Sequence, residues 1–363
     1  MAAYHASHRQ QWIAGIILLL TLPAFAGCSV IGPATIARDR FDYTTAVADS
    51  WKRQMLLNIV KIRYGDVPIF LDVTSITNQY SVQTELRGTL GWSFPPQGNR
   101  QELGGITSYY DRPTVTYNLL TGEKFARSLM TPISPATVMA MVEGGYPIAL
   151  VFRLMVHAVN GVRNQFGGSA RMHAADPEFS PLLEKLQAIQ SSGAVALRVT
   201  KVDEQAALLM MFRKTESAQL SQLTADVRQI LGLGQEAGEF QVIYGSASSH
   251  DREIALLTRS IIEILSDISS TIEVPVQDVG EQRTSPTMTT EGAGFSKPLI
   301  HIISSAEKPA DAFVSVPYRG HWFWVDDRDY PSKKLFSFLM FIMTLTEPGV
   351  KDGAPVLTIS AGG

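Results

Sequence analysis

Between residues 180 and 245 five apolar patterns follow one another with too little chain between them to travel far. This spacing constrains the fold more than any other feature of the sequence. Ser180-Pro181 opens a helix whose Leu182, Leu186 and Ile189 share one face, and Gly193 closes it. Val195, Leu197 and Val199 alternate as a strand, Asp203-Glu204 turns the chain, and Ala206 to Phe212 returns as the hairpin partner. Leu220, Leu223, Val227 and Ile230 mark a second helix stopped by Gly232, with Gln222, Asp226 and Gln229 on its outer face. Phe240 to Tyr244 is a third strand. The order is α-β-β-α-β, and connections this short oblige both helices to cover one face of a three-stranded sheet, a two-layer unit.

The flanking sequence extends this to an α+β fold of several such units, with an N-terminal helix and a β-meander. Val47, Trp51, Met55, Ile59 and Ile62 recur at helical spacing from Tyr43 to Tyr64, and Gly65 ends the run. Ile69 to Val82 reads as an extended strand opening a meander through Gly88 to Thr116, with a turn at Pro95, Pro96 and Gly98. From Leu119 to Asn164 the pattern is helical: Ser134-Pro135 caps one helix, Gly144-Gly145 ends it, and Pro147 opens the next. In that next helix Arg153, His157, Asn160 and Asn164 fall on one face. Such a stripe is what any half-buried helix needs, and it also offers a contact surface in a groove or subunit interface.

Beyond residue 245, Ile254, Leu257, Ile261, Ile264 and Ile268 predict a helix, and Gln277 to Ser296 reads as a flexible insertion. Leu299 to Ile303 predicts a strand, and Phe313 to Val316 with His321 to Val325 a hairpin turning at Arg319-Gly320. Leu335 to Leu345 predicts a helix and Pro355 to Ile359 a last strand. That repeats the first order with one strand added, so internal duplication is one option. The expected segments are 28–40 as a tether, 41–176, 177–276, 277–297 and 298–363.

Residues 1–27 have the layout of a secretory signal: Arg9, the apolar run Trp12 to Leu20, then small residues at Ala24, Ala26 and Gly27. The run is short of the roughly 20 apolar residues that a spanning helix needs. Ile148 to Val159 and Leu335 to Leu345 are too short as well, and read as core. Phe25-Ala26-Gly27-Cys28 resembles the lipobox of bacterial lipoproteins, in which the cysteine becomes the lipidated first residue. Cys28 is the only cysteine, so neither a disulfide nor a cysteine-ligated metal is available. The resemblance implies a membrane partner reached through acyl chains on Cys28. Ser29, where Asp commonly retains such proteins at the inner membrane, implies the outer membrane, with the folded part facing the periplasm.

Charge and motifs exclude more than they assign. The chain carries a formal net charge of −3, and loss of Arg9 with the signal makes the remainder one unit more acidic, so no nucleic-acid partner is expected. Ser249-His250-Asp251 has the residue types of a hydrolase triad, but sequence neighbours diverge and cannot converge on a substrate; Ser248 with Asp251 reads as a helix cap. Gly232-Leu-Gly234 lacks the third glycine of the dinucleotide fingerprint, and no cofactor motif is present, so none is expected. Asp326, Asp327 and Asp329 could hold a hard cation, but Arg328 sits among them and a solvated turn accounts for them; the metal is left unknown. Trp322 and Trp324 share one sheet face and offer a sugar platform or ordinary packing under the following helix.

Residues 180–245 resemble the ring-building modules of envelope-spanning secretion systems, and the whole chain resembles envelope lipoproteins of proteobacteria. What the resemblance implies is a non-catalytic scaffold or docking component, with envelope proteins or further copies of itself as partners. A lipid-tethered periplasmic hydrolase or carbohydrate-binding protein is the alternative, and it requires a cleft converging on Asp326, Asp327 and Trp322.

Overall fold

The computed structural model describes residues 33–77, 80–91, 100–111, 114–168, 172–202, 205–213, 216–288, 297–346 and 356–360. Along the chain, helix α1 (Pro33–Arg63) is followed by strands β1 (Phe70–Thr77), β2 (Tyr80–Gly91), β3 (Arg100–Asp111) and β4 (Thr114–Leu120). Helices α2 (Glu123–Met130), α3 (Pro135–Glu143) and α4 (Ile148–Met155) come next, then the short strands β5 (Val156–Val159) and β6 (Val162–Arg163). Helix α5 (Phe179–Ser191), strands β7 (Val195–Val202) and β8 (Gln205–Phe212), helix α6 (Ala218–Leu231), and strands β9 (Glu239–Tyr244) and β10 (Glu253–Thr258) follow. The chain continues through α7 (Ile261–Ser270), α8 (Val276–Gly280), β11 (Ile303–Ser305), β12 (Ala312–Tyr318), β13 (His321–Asp326), α9 (Tyr330–Thr346) and β14 (Val356–Ser360).

The fold is mixed α+β. Two units are present, the larger made of Lys52–Phe70 with Leu120–Asp352, the smaller of Met1–Trp51, Leu71–Leu119 and Gly353–Gly363. The chain passes between the two units within α1, at the start of β1 and at the end of β4.

In the larger unit the α-β-β-α-β order holds, with β8 antiparallel to both β7 and β9 and α5 packed on α6. Ser217 accepts from the Leu220 N–H at the start of α6, and Gly232 ends it in the left-handed conformation that glycine adopts without a Cβ clash. The sheet is twice as wide as the sequence suggested, with strand order β6-β5-β10-β9-β8-β7. Of its three extra strands, β10 occupies what reads as the first turns of a helix. Ile254, Ala255 and Leu256 are all buried, so this strand is covered on both faces and shows no alternation. Strand β10 runs parallel to β9 after a connection of only residues 245–252. Ser248 and Asp251 lie in that connection and start no helix.

The helix opened by Pro147 ends at Met155, and the chain turns through Asn160-Gly161 into the β5-β6 hairpin. Both turn residues have positive φ, 45° and 85°, as a two-residue hairpin turn requires. The polar stripe of Arg153, His157, Asn160 and Asn164 is therefore not a helix face. Residues 277–288 are also not a free excursion. Helix α8 fills part of the segment, Thr284 donates to the Arg63 carbonyl, and Thr287 both accepts from Val274 N–H and donates to the Ile272 carbonyl. Residues 289–296 of that segment lie outside the described residues.

The β12-β13 hairpin turns at Arg319-Gly320 as expected, while the strand expected at Leu299 to Ile303 is Ile303–Ser305, antiparallel to β13. Helix α1 buries Met55, Leu56, Ile59 and Val60 in this unit, and Asn58 brackets the Ile69 backbone at 2.7 and 2.9 Å.

In the smaller unit the strands are nested rather than a meander. Among the described strands β4 lies between β1 and β14, and β2 pairs only with β3. The last strand thus pairs with β4, Val356 opposite Asn118 and Ser360 opposite Thr114, and does not complete a second α-β-β-α-β unit. Internal duplication is not what the topology shows. The tether expected over 28–40 is helical from Pro33. Among the described residues of the smaller unit the sole buried one is Asn118, whose Oδ1 has no partner.

Candidate functional site

Two of the four stripe residues, His157 and Asn164, meet around a buried ion pair that no sequence pattern marked, and Arg153 joins it through its backbone. Arg259 follows β10 and is fully buried. Its Nη1 donates to Asp267 Oδ2 at 2.9 Å and to the Arg153 and Leu154 carbonyls at 3.3 and 3.4 Å, and its Nη2 donates to the Gln165 carbonyl. Asp267, on α7, accepts at Oδ1 from the Gly167 N–H at 2.6 Å. Gly167 is required there, since a Cβ would sit 2.0 Å from Ser270 Oγ. Burial pushes the Arg259 guanidinium down in pKa, opposed by Asp267.

His157 lies beside this pair, its Nε2 3.4 Å from Glu263 Oε1 and its ring edge-on to Phe166 at 5.1 Å. Burial, then the Arg259 charge, hold its pKa below the ordinary histidine range, with Glu263 opposing. Burial raises the Glu263 carboxyl, but the Ser260 N–H and hydroxyl donors, helped by His157, bring it below its ordinary value overall. Ser260 and Glu263 form a complete capping box at the start of α7. Asn164 Nδ2 donates to the carbonyls of Phe152, Arg153 and Val156, closing the last turn of α4. The Arg153 guanidinium donates to the Lys297 carbonyl at 3.1 Å. Asn160 lies apart: it donates to the Leu231 and Glu253 carbonyls and accepts from Ala255 N–H, pinning the hairpin tip to α6 and β10.

The chemistry available here is structural. In a serine hydrolase the histidine stands between nucleophile and carboxylate. Here Glu263 stands between Ser260 and His157 and takes the hydroxyl's hydrogen bond itself, so the histidine does not reach it. The Ser249 region repeats the arrangement: Ser249 Oγ donates to Glu253 at 2.7 Å and His250 Nε2 lies 3.2 Å from the other Glu253 oxygen. The cluster instead ties together the end of α4, residues 164–167 and the start of α7.

The acidic turn is likewise engaged. Asp326 accepts from Arg328 N–H, Asp327 pairs with Lys333 at 2.6 Å, and Asp329 caps α9 through Ser332. Among the described residues no group of three His, Cys, Asp or Glu side chains could hold a metal ion. Trp322 and Trp324 share a face, as alternation requires, and are half-buried. It is Phe323 that enters the core, edge-on to Tyr64 at 6.0 Å. A cavity of about 450 Å³ lies elsewhere, lined by Lys124, Arg127, Ser134, Thr137 and Ile342. Arg127 is paired with Glu123, and Ser134 with Thr137, so the polar groups of that rim are largely engaged in capping and pairing their own helices. Asp226, expected as a free surface position, is paired with Lys185 at 2.5 Å and held by Gln222. Cys28 lies outside the described residues.

Two signals for the cluster stand in the sequence: the Ser260-x-x-Glu263 box, which dates the start of α7, and Asn160-Gly161, which marks the hairpin. Arg259 and Asp267 carry no such mark. No known family, curated protein or solved structure matches the chain.

Proposed function

We propose that this chain is a lipid-anchored protein of the cell envelope, outer membrane in the first instance, that serves as a non-catalytic scaffold or docking component. The observation that carries the reading is a contrast between the two units. In the larger unit the side chains that could have done chemistry are engaged in holding the fold. The smaller unit offers the first part of α1, through Trp51, and a two-stranded arm, and Asn118 alone is buried among those of its residues whose burial is described. A surface of that kind suits association better than turnover. The Phe25-Ala26-Gly27-Cys28 motif supplies the anchor, and α1 follows it five residues later as a helical spacer.

No helix among the described residues is long and apolar enough to cross a membrane, so the acyl chains at Cys28 are the attachment on which the reading depends. Wild-type chain expressed in a Gram-negative host fed labelled palmitate is expected to take up the label, while Cys28→Ala takes up none. A wild-type chain that carries no label, or a Cys28→Ala chain that carries as much, overturns the anchor.

A further inference from the structure

Strands β2 and β3 form a hairpin of unusual regularity. Their ladder is unbroken from Tyr80 opposite Asp111 to Gly91 opposite Arg100, and no other described strand pairs with either edge. Successive residues of a strand lie on opposite faces, and directly opposed residues share one. One face therefore carries Val82, Thr84, Leu86, Gly88 and Leu90 with Leu103, Gly105, Thr107 and Tyr109, and no charge until Asp111 at the base. The other face carries Glu85, Arg87, Arg100 and Glu102, every remaining charge of the hairpin. On that second face Gln83, Glu85 and Arg87 are exposed, with Glu85 and Arg87 paired at 3.3 Å. That face also carries Ile106, an exposed apolar residue, and Tyr110 at the base.

Three physical quantities identify what the uncharged face meets. Twelve residues at about 3.3 Å each make strands of roughly 40 Å, which at the usual tilt of about 45° cross roughly 28 Å. A spanning β-strand needs about 9–11 residues, and the apolar band of an outer-membrane barrel is about 25 Å tall. Tyr80, Tyr109 and Tyr110 cluster at the base of the hairpin, where aromatic residues sit at a membrane interface. The alternation of uncharged and charged positions is the one that separates lipid from lumen in such barrels. A lone two-stranded hairpin is marginal in water, and in a bilayer its open edges leave backbone groups unsatisfied, which closed barrels alone avoid.

We infer that the β2-β3 hairpin inserts into the outer membrane, and that hairpins from several copies of this chain join edge to edge into one closed barrel. The uncharged face contacts lipid, and the Glu85, Arg87, Arg100 and Glu102 face lines a water-filled lumen with equal numbers of positive and negative charges. Each copy contributes an antiparallel pair, so the barrel has an even number of strands. The inference rests on the envelope reading, and turns the scaffold of that reading into a conduit.

The test uses the full lipidated chain in vesicles of phosphatidylethanolamine and phosphatidylglycerol. Acylated Cys28 has no free thiol, so each of Val82→Cys, Gln83→Cys, Glu85→Cys, Leu86→Cys, Arg87→Cys and Leu90→Cys introduces a single label site for an environment-sensitive fluorophore. Labels at 82, 86 and 90 are expected to shift to the blue and be quenched severalfold by a quencher carried on the lipid tails. Labels at 83, 85 and 87 are expected to stay in water, and entrapped dye to leak from the vesicles. Water-like emission at all six positions in vesicle-bound protein overturns the inference. So does an alternation already complete in lipid-free oligomers, which assigns the face to a second copy instead. Failure of the anchor reading is seen separately, as label uptake by Cys28 in the unsubstituted protein.

Discussion

Replacing Asp267 with asparagine removes one charge from the interior and changes almost nothing else. The amide keeps an oxygen for the Gly167 N–H, now bonded at 2.6 Å, but Arg259, fully buried, loses its only carboxylate at 2.9 Å. Its remaining acceptors are three carbonyls, two of them at 3.3 and 3.4 Å, and its Nε has no partner. Breaking a buried pair from one side costs about 3–5 kcal/mol, because the surviving charge stays uncompensated. For a unit of this size each kcal/mol lowers the melting temperature by about 2–4 °C, so a drop of roughly 6–20 °C is expected. Urea and thermal unfolding followed by circular dichroism read it directly. The double variant Arg259→Met with Asp267→Leu should recover at least half the loss, since packed apolar groups replace a buried pair at little net cost. A loss under about 1 kcal/mol for Asp267→Asn refutes the buried pair as the element holding α4, residues 164–167 and α7 together.

Two further consequences follow from neighbours of that pair. His157 is held below its ordinary pKa by burial and by Arg259, so the unfolded chain takes up a proton before the folded one does. Stability should therefore fall as pH drops below about 6.5, until the lower folded-state value is passed, and His157→Gln should flatten that part of a urea-midpoint profile; an unchanged profile contradicts the assignment. Asn160→Ala loses two donors and one acceptor at a residue with φ of 45° and should cost about 2–4 kcal/mol, while a change under about 0.5 kcal/mol would show that the hairpin tip is not pinned.

How much of this was legible beforehand depended on whether each element carried its own periodicity. The stretch from Phe179 to Tyr244 did, because its helices and strands are each covered on one face, and the order read from the sequence stands. Strand β10 did not: Ile254, Ala255 and Leu256 are buried together in mid-sheet, and with Ile261 and Ile264 they imitate helical spacing. The stripe at Arg153, His157, Asn160 and Asn164 misled for the opposite reason, since a helix and a hairpin in succession place polar residues at intervals that a single helix would share. The pairing of β14 with β4 joins residues far apart in sequence and leaves no local trace. Arg259 and Asp267 were invisible because a charged residue reads as surface until its partner is known. The β2-β3 hairpin shows the converse: its alternation was present throughout, and gained meaning only once the register showed which residues share a face.

The scaffold reading is tested most directly by the mass of the lipidated chain as it leaves the outer membrane. Wild-type protein extracted in mild detergent and weighed by analytical ultracentrifugation, with chemical crosslinking beforehand, is expected to sediment as a defined assembly of several copies or of this chain with envelope partners. A single species at the mass of one lipidated chain, with no crosslinked partner, contradicts it and returns the tethered binding protein or enzyme to first place.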